Sequence, residues 1–164
     1  MTARIDLLAA RRFALPRTLA EACVAAMVER GEEGAELFVA LAATIEDDGA
    51  TVQFRRGVIP RQTAYTTPDG LLVKIDGDAL YELNRDCREQ GDIVAGQIHS
   101  HPDSAYHSGA DDELAIVQLP GGLSIVVPYF GRGGLDAAAT WSVHQLTPAG
   151  DWDRPRDGVE VTFA

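Results

Sequence analysis

The sequence predicts a mixed α/β sandwich. Three observations carry that expectation. Strand-like apolar stretches are interleaved with two long helical patterns and one short one. Leu123 to Tyr129 is a near-continuous apolar run of the kind found inside a sheet. The chain has 164 residues, 46% apolar and 24% charged, enough to bury roughly 70% of its unfolded surface around one core. One domain spanning 1–164 is expected.

Residues 1–15 suggest a short strand or arm. Pro16 suits the first turn of a helix. Leu19, Cys23 and Met27 then recur at four-residue spacing up to Arg30, with Gly31 as the stop. Glu36 to Ile45 predicts a buried strand. Asp47-Asp48-Gly49 predicts a turn, and Thr51 to Ile59 a second strand, so the pair forms a hairpin. Pro60 to Asp69 is a polar loop, and Leu71 to Ile75 a short strand. Asp76 or Gly77 caps a helix in which Leu80, Leu83 and Cys87 share a face, ending at Gly91. Ile93 to Ser100 is a strand. Ser108 opens a short helix reaching about Gln118. Pro120-Gly121-Gly122 turns the chain into the apolar strand at Leu123. Ala139 to Leu146 is a further strand, and Val159 to Phe163 a last short one after a Pro- and Gly-rich loop.

The net charge of −11 and the absence of any Lys/Arg cluster argue against a nucleic-acid partner. No run of about 18 apolar residues suggests a membrane span. The N-terminal stretch lacks the apolar core of a signal peptide, which makes the cytoplasm the expected location. Cys23 and Cys87 each fall in a helical pattern and are expected as small buried hydrophobes rather than a disulfide.

The chemistry concentrates in residues 96–112, Gly-Gln-Ile-His-Ser-His-Pro-Asp-Ser-Ala-Tyr-His-Ser-Gly-Ala-Asp-Asp. His99 and His101 are two apart, so on a strand they project from one face and can reach one ion. Asp111 lies far enough beyond them for the chain to turn back with a carboxylate. Two imidazoles and a carboxylate suit Zn²⁺, and three protein ligands leave a fourth position for water, the layout of a catalytic site.

His99-Ser100-His101-Pro102 followed by Ser108-Gly109-Ala110-Asp111 resembles the H-x-H-P…S-x-x-D signature of the JAMM (MPN+) zinc metalloproteases. The resemblance runs roughly from Glu36 to Phe130. The gap between Pro and Ser is one residue shorter here than the family's usual six: five residues, Asp103 to His107. Keeping S-x-x-D intact selects Ser108 and Asp111; reading the gap rigidly would select Gly109 and Asp112.

The resemblance implies the MPN/JAB fold, which is cytidine-deaminase-like, and a Zn²⁺ held by His99, His101 and Asp111. It also implies a serine, Ser108, that positions the reacting water and stabilises the oxyanion, and a glutamate upstream as general base. Glu36, at the head of an apolar strand, matches that glutamate; Glu33 is its rival. Ser108 also suits a helix N-cap. His107 carries no assigned role.

The implied activity is a deubiquitinase-like isopeptidase. Its substrate would be a ubiquitin-like protein or its conjugates, with E1-like and E2-like partners encoded nearby and a possible antiphage setting. Two alternatives stand beside it: a peptidase that trims a sulfur-carrier protein, and a metal-free MPN scaffold. A zinc deaminase is disfavoured because P-C-x-x-C is absent.

Overall fold

The computed structural model describes residues 5–105 and 116–164. Among these residues an eight-stranded mixed sheet forms the centre and a separate two-stranded hairpin lies beside it. The strands are β1 (Arg12–Ala14), β2 (Phe38–Glu46), β3 (Thr51–Val58), β4 (Thr63–Thr67), β5 (Gly70–Lys74), β6 (Ile93–Ser100), β7 (Leu123–Val127), β8 (Ser142–Leu146), β9 (Trp152–Asp153) and β10 (Glu160–Thr162). The large sheet runs in the order β10-β1-β3-β2-β6-β7-β8-β9, and β4 pairs with β5. β6 and β7 are parallel; β2 is antiparallel to β6 on its other side. The mixed α/β class expected from the sequence is the class observed.

Two helices cover opposite faces. α1 (Arg17–Glu32) buries Ala20, Cys23, Val24 and Met27 against Leu37, Val39, Leu41 and Ala43. α2 (Gly77–Gln90) buries Ala79, Leu83 and Cys87 against Phe38, Ala40 and Ala42. The alternation along β2 explains why its first half reads as unbroken apolar sequence: successive side chains enter different cores. Phe54 on β3 is fully buried, and Gly96 on β6 admits it, since a Cβ there would lie 2.9 Å from the Phe54 ring. Truncating such a ring to Ala costs about 3–5 kcal/mol.

α2 begins and ends as its sequence predicts. Asp76 is the N-cap, its carboxylate accepting from the Ala79 amide at 2.8 Å, and Gly91 closes the helix in the left-handed region at φ 79°. Of the alternatives, Asp76 caps and Gly77 is the first helical residue. α1 runs past Gly31, which was expected to stop it. That glycine lies inside the helix, where a Cβ would come within 2.4 Å of the Phe130 Cβ. The chain leaves the helix at Gly34 instead, with φ 75°.

The stretch 60–69 was expected as a loop; Thr63–Thr67 within it forms β4. The apolar strand expected to reach Tyr129 ends at Val127. The strand expected from Ala139 begins at Ser142, because Leu135–Thr140 is a 3₁₀ helix. Most of the short helix expected from Ser108 lies outside the described residues, and its described end, 116–118, is not helical.

Candidate metal centre

The C-terminal end of β6 is a site by topology. β6 and β7 run parallel there, and the crevice beyond parallel strand ends is where open α/β sheets bind ligands. Gln97, His99 and His101 alternate with Ile98 and Ser100, so the three share the face that carries Phe38, Ala40 and Ala42. His99 is fully buried at 0% exposure and His101 nearly so at 2%. Their ring centroids are 5.1 Å apart with planes inclined at 54°. Two imidazoles sharing one tetrahedral ion through bonds of about 2.1 Å need ring centres about 5 Å apart. The pair therefore fits a metal by its separation and by its chemistry.

The backbone around the histidines is fixed from three sides. Ser100 locks β6 to the start of β2: its N–H donates to the Leu37 carbonyl at 3.1 Å, and its Oγ accepts from the Leu37 N–H at 3.0 Å. The His101 N–H donates to the Val127 carbonyl at 2.9 Å. The His101 carbonyl accepts from the Phe130 N–H at 2.8 Å, and the Asp103 carbonyl from the Tyr129 N–H at 3.0 Å. Phe38 stacks flat on His99, 4.2 Å between centroids and 2° between planes.

Phe38 is the cross-strand partner of His99. Continuing that register by two residues sets Glu36 opposite His101, and Glu36 is 7% exposed. Glu33 is in different surroundings. It is the exposed C-cap of α1 and pairs with Arg30 at 3.2 Å. The start of β2 is held on its other side by Gln62. β3 has already ended there, and the Gln62 side-chain amide stands in for it. Its Oε1 accepts from the Phe38 N–H at 2.9 Å, and its Nε2 donates to the Phe38 carbonyl at 2.9 Å and the Pro60 carbonyl at 3.0 Å.

Ser108, Asp111, its rival Asp112 and His107 lie outside the described residues. Among the described residues no group of three or more His, Cys, Asp or Glu could hold a metal ion. The described residues that flank 106–115 are both anchored at this site. The chain departs after the His101–Asp103 clamp. It returns at Ile116 and Val117, whose N–H groups donate to the buried Gln97 Oε1 at 2.7 and 3.2 Å. Gln97 Nε2 donates in turn to Ser124 Oγ on β7 at 3.1 Å. Gln97 thus sits two residues before His99 on its face and receives the segment that carries the expected third ligand.

Sequence reasoning did not single out Gln97 or the Tyr129–Phe130 turn, and it placed Gln62 only in a polar loop suited to hydrogen-bonding an extended peptide, not as the partner of the Phe38 backbone. A buried amide within the apolar run Ile93 to Ile98 was the one signal available for Gln97. Trp141 packs edge-on to Phe163, 5.4 Å between ring centroids. Cys23 and Cys87 are both free and buried, as expected. No described helix is long and apolar enough to cross a membrane.

No family model matches the chain. A protein of Sinorhizobium fredii named probable metalloprotease y4jG is 35% identical over 152 residues, covering 91% of this chain and 90% of its own length. Two solution structures share the fold. A protein from Desulfitobacterium hafniense matches with a TM-score of 0.58 at 17% identity, over 93% of this chain and 94% of that one. A protein from Salinibacter ruber matches with a TM-score of 0.55 at 23% identity, over 90% of each.

Proposed function

The chain belongs to the family of the Sinorhizobium probable metalloprotease, and from that membership we propose that it is a zinc-dependent peptidase of the JAMM type. The carrying observation is the pair of buried imidazoles, His99 and His101, 5.1 Å apart on one strand face. His99, His101 and Asp111 would hold the ion. When bound, zinc lowers the pKa of a coordinated water to about 7 and polarises the carbonyl it faces.

The remaining steps fall to side chains. Glu36 accepts the proton of the attacking water as its oxygen bonds to the scissile carbonyl carbon. Ser108 donates a hydrogen bond to the oxygen that gains charge. Glu36 then delivers the proton to the amine as the C–N bond breaks. Glu36 is preferred to Glu33 because it is buried and in register with His101, whereas Glu33 is exposed and paired with Arg30.

The substrate we propose is the C-terminal tail of a ubiquitin-like protein, cleaved from a precursor extension or from a conjugate, with E1-like and E2-like proteins as functional partners. The motif resemblance supports this reading.

The decisive experiment is Glu36→Gln, assayed on a ubiquitin-like protein carrying a C-terminal fluorescent tag. Cleavage should fall by about 10²–10⁴-fold with zinc content unchanged at one per chain. Glu33→Gln should remain active. An inactive Glu33→Gln with an active Glu36→Gln would move the base, and normal cleavage by both would overturn the mechanism. Metal analysis of Asp111→Ala and Asp112→Ala decides the third ligand. A sulfur-carrier tail run in parallel decides the substrate class.

A further inference from the structure

Among the described residues, the non-glycine positions with left-handed φ are Asp47, Asp48, Tyr129 and Phe130. The two aspartates sit in the β2–β3 turn, where their short polar side chains tolerate that conformation. Two consecutive aromatics there are another matter, because a bulky L side chain is strained at φ 55° and 53°. Phe130 offsets its strain by burial. Its ring lies at α1, where Gly31 leaves it room. Tyr129 has no such compensation, since it is 54% exposed.

Burial does not explain Tyr129, but its position does. Its N–H holds the Asp103 carbonyl, and the next amide holds the His101 carbonyl. Tyr129 is therefore held by its backbone beside the strand end that carries His101, a proposed ligand, and its side chain is exposed. A tyrosine presents a large, stiff, amphipathic surface with little rotamer freedom to lose.

We propose that Tyr129 is a specificity-determining residue that packs against the extended peptide stretch flanking the scissile bond. The turn's backbone hydrogen bonds fix where Tyr129 leaves the main chain before substrate arrives. This rests on the metallopeptidase reading above.

The test is steady-state cleavage of the tagged ubiquitin-like protein by the zinc-loaded wild type, Tyr129→Gly and Tyr129→Phe, with zinc content and thermal midpoint measured on each. Glycine relieves the left-handed strain, so Tyr129→Gly should keep its zinc and melt no lower than wild type. Its KM should rise by about tenfold with kcat nearly unchanged, the sign of lost uniform binding. Tyr129→Phe should restore most of the KM. An unchanged KM in Tyr129→Gly overturns the inference while leaving the peptidase reading standing. Zinc loss with a fallen kcat also overturns it, because the turn would then serve only the ligands. A wild type that holds zinc and cleaves nothing removes both.

Discussion

The Phe38 ring lies flat on the His99 imidazole, 4.2 Å away and within 2° of parallel, and the two residues are direct cross-strand partners. This contact fixes the plane of a proposed ligand ring from a neighbouring strand. Phe38→Leu keeps apolar volume and removes the flat face. It should leave the protein folded and weaken zinc binding by about tenfold or more, as loss of an orienting neighbour does. Competition against a chromogenic chelator measures this.

Gln62 substitutes for a missing strand. Gln62→Ala leaves the Phe38 N–H and carbonyl without their side-chain partner in a partly buried setting. The expected destabilisation is about 1–3 kcal/mol in urea unfolding. Cleavage and zinc affinity should both fall, because the displaced Phe38 backbone leads to Glu36 and carries the ring that stacks on His99.

Gln97 tests the return of the segment 106–115. Gln97→Leu fills similar space but offers the Ile116 and Val117 amides no acceptor, and should cost about 1–3 kcal/mol. If Asp111 reaches the ion as proposed, zinc affinity should drop with it, although Gln97 is no ligand. Calorimetric titration of zinc into the metal-free variant reads that coupling.

The thiols should be silent under ordinary conditions. Burial pushes both Cys23 and Cys87 from the ordinary 9.0 up to about 11; at Cys87 the nearby Asp92 adds to it. Native protein at pH 8 should leave a thiol reagent unreacted, and unfolded protein should consume two equivalents. The sign of the pH effect follows from the same shift. Between about 9 and 11 the folded state holds more protons than the unfolded state, so these groups make stability decline as pH rises through that window.

Elements whose one face is buried were legible in the sequence. β6 was expected at Ile93–Ser100 and is found there, and α2 has its Asp cap and closing glycine where they were read. β4 was missed because both faces of Thr63–Thr67 are polar and largely exposed, so no apolar alternation marks it. Gly31 was misread because a glycine after an apolar helical stripe usually ends the helix. Here it stays helical to admit a ring from about a hundred residues later, which no local window can show.

Of the candidate site, the pairing of His99 and His101 was the legible part. Two histidines at strand spacing announce a shared face. Gln62 gives no comparable sign, because its side chain imitates a strand backbone for Phe38, 24 residues away, and polar residues in polar stretches carry no such signal. The left-handed Tyr129–Phe130 pair runs against the preferences of its own residues, so local propensity pointed to a strand instead.

Anchoring by Gln97 and by the His101–Asp103 clamp has a further consequence, for how such a chain can change over generations. The two ends of the segment 106–115 are set by the sheet, not by the segment. For about ten residues between fixed ends, one residue more or less alters the closure entropy by only about 0.1 kcal/mol. A segment between such ends can thus change in length at little cost in closure entropy while the sheet continues to hold the two imidazoles still.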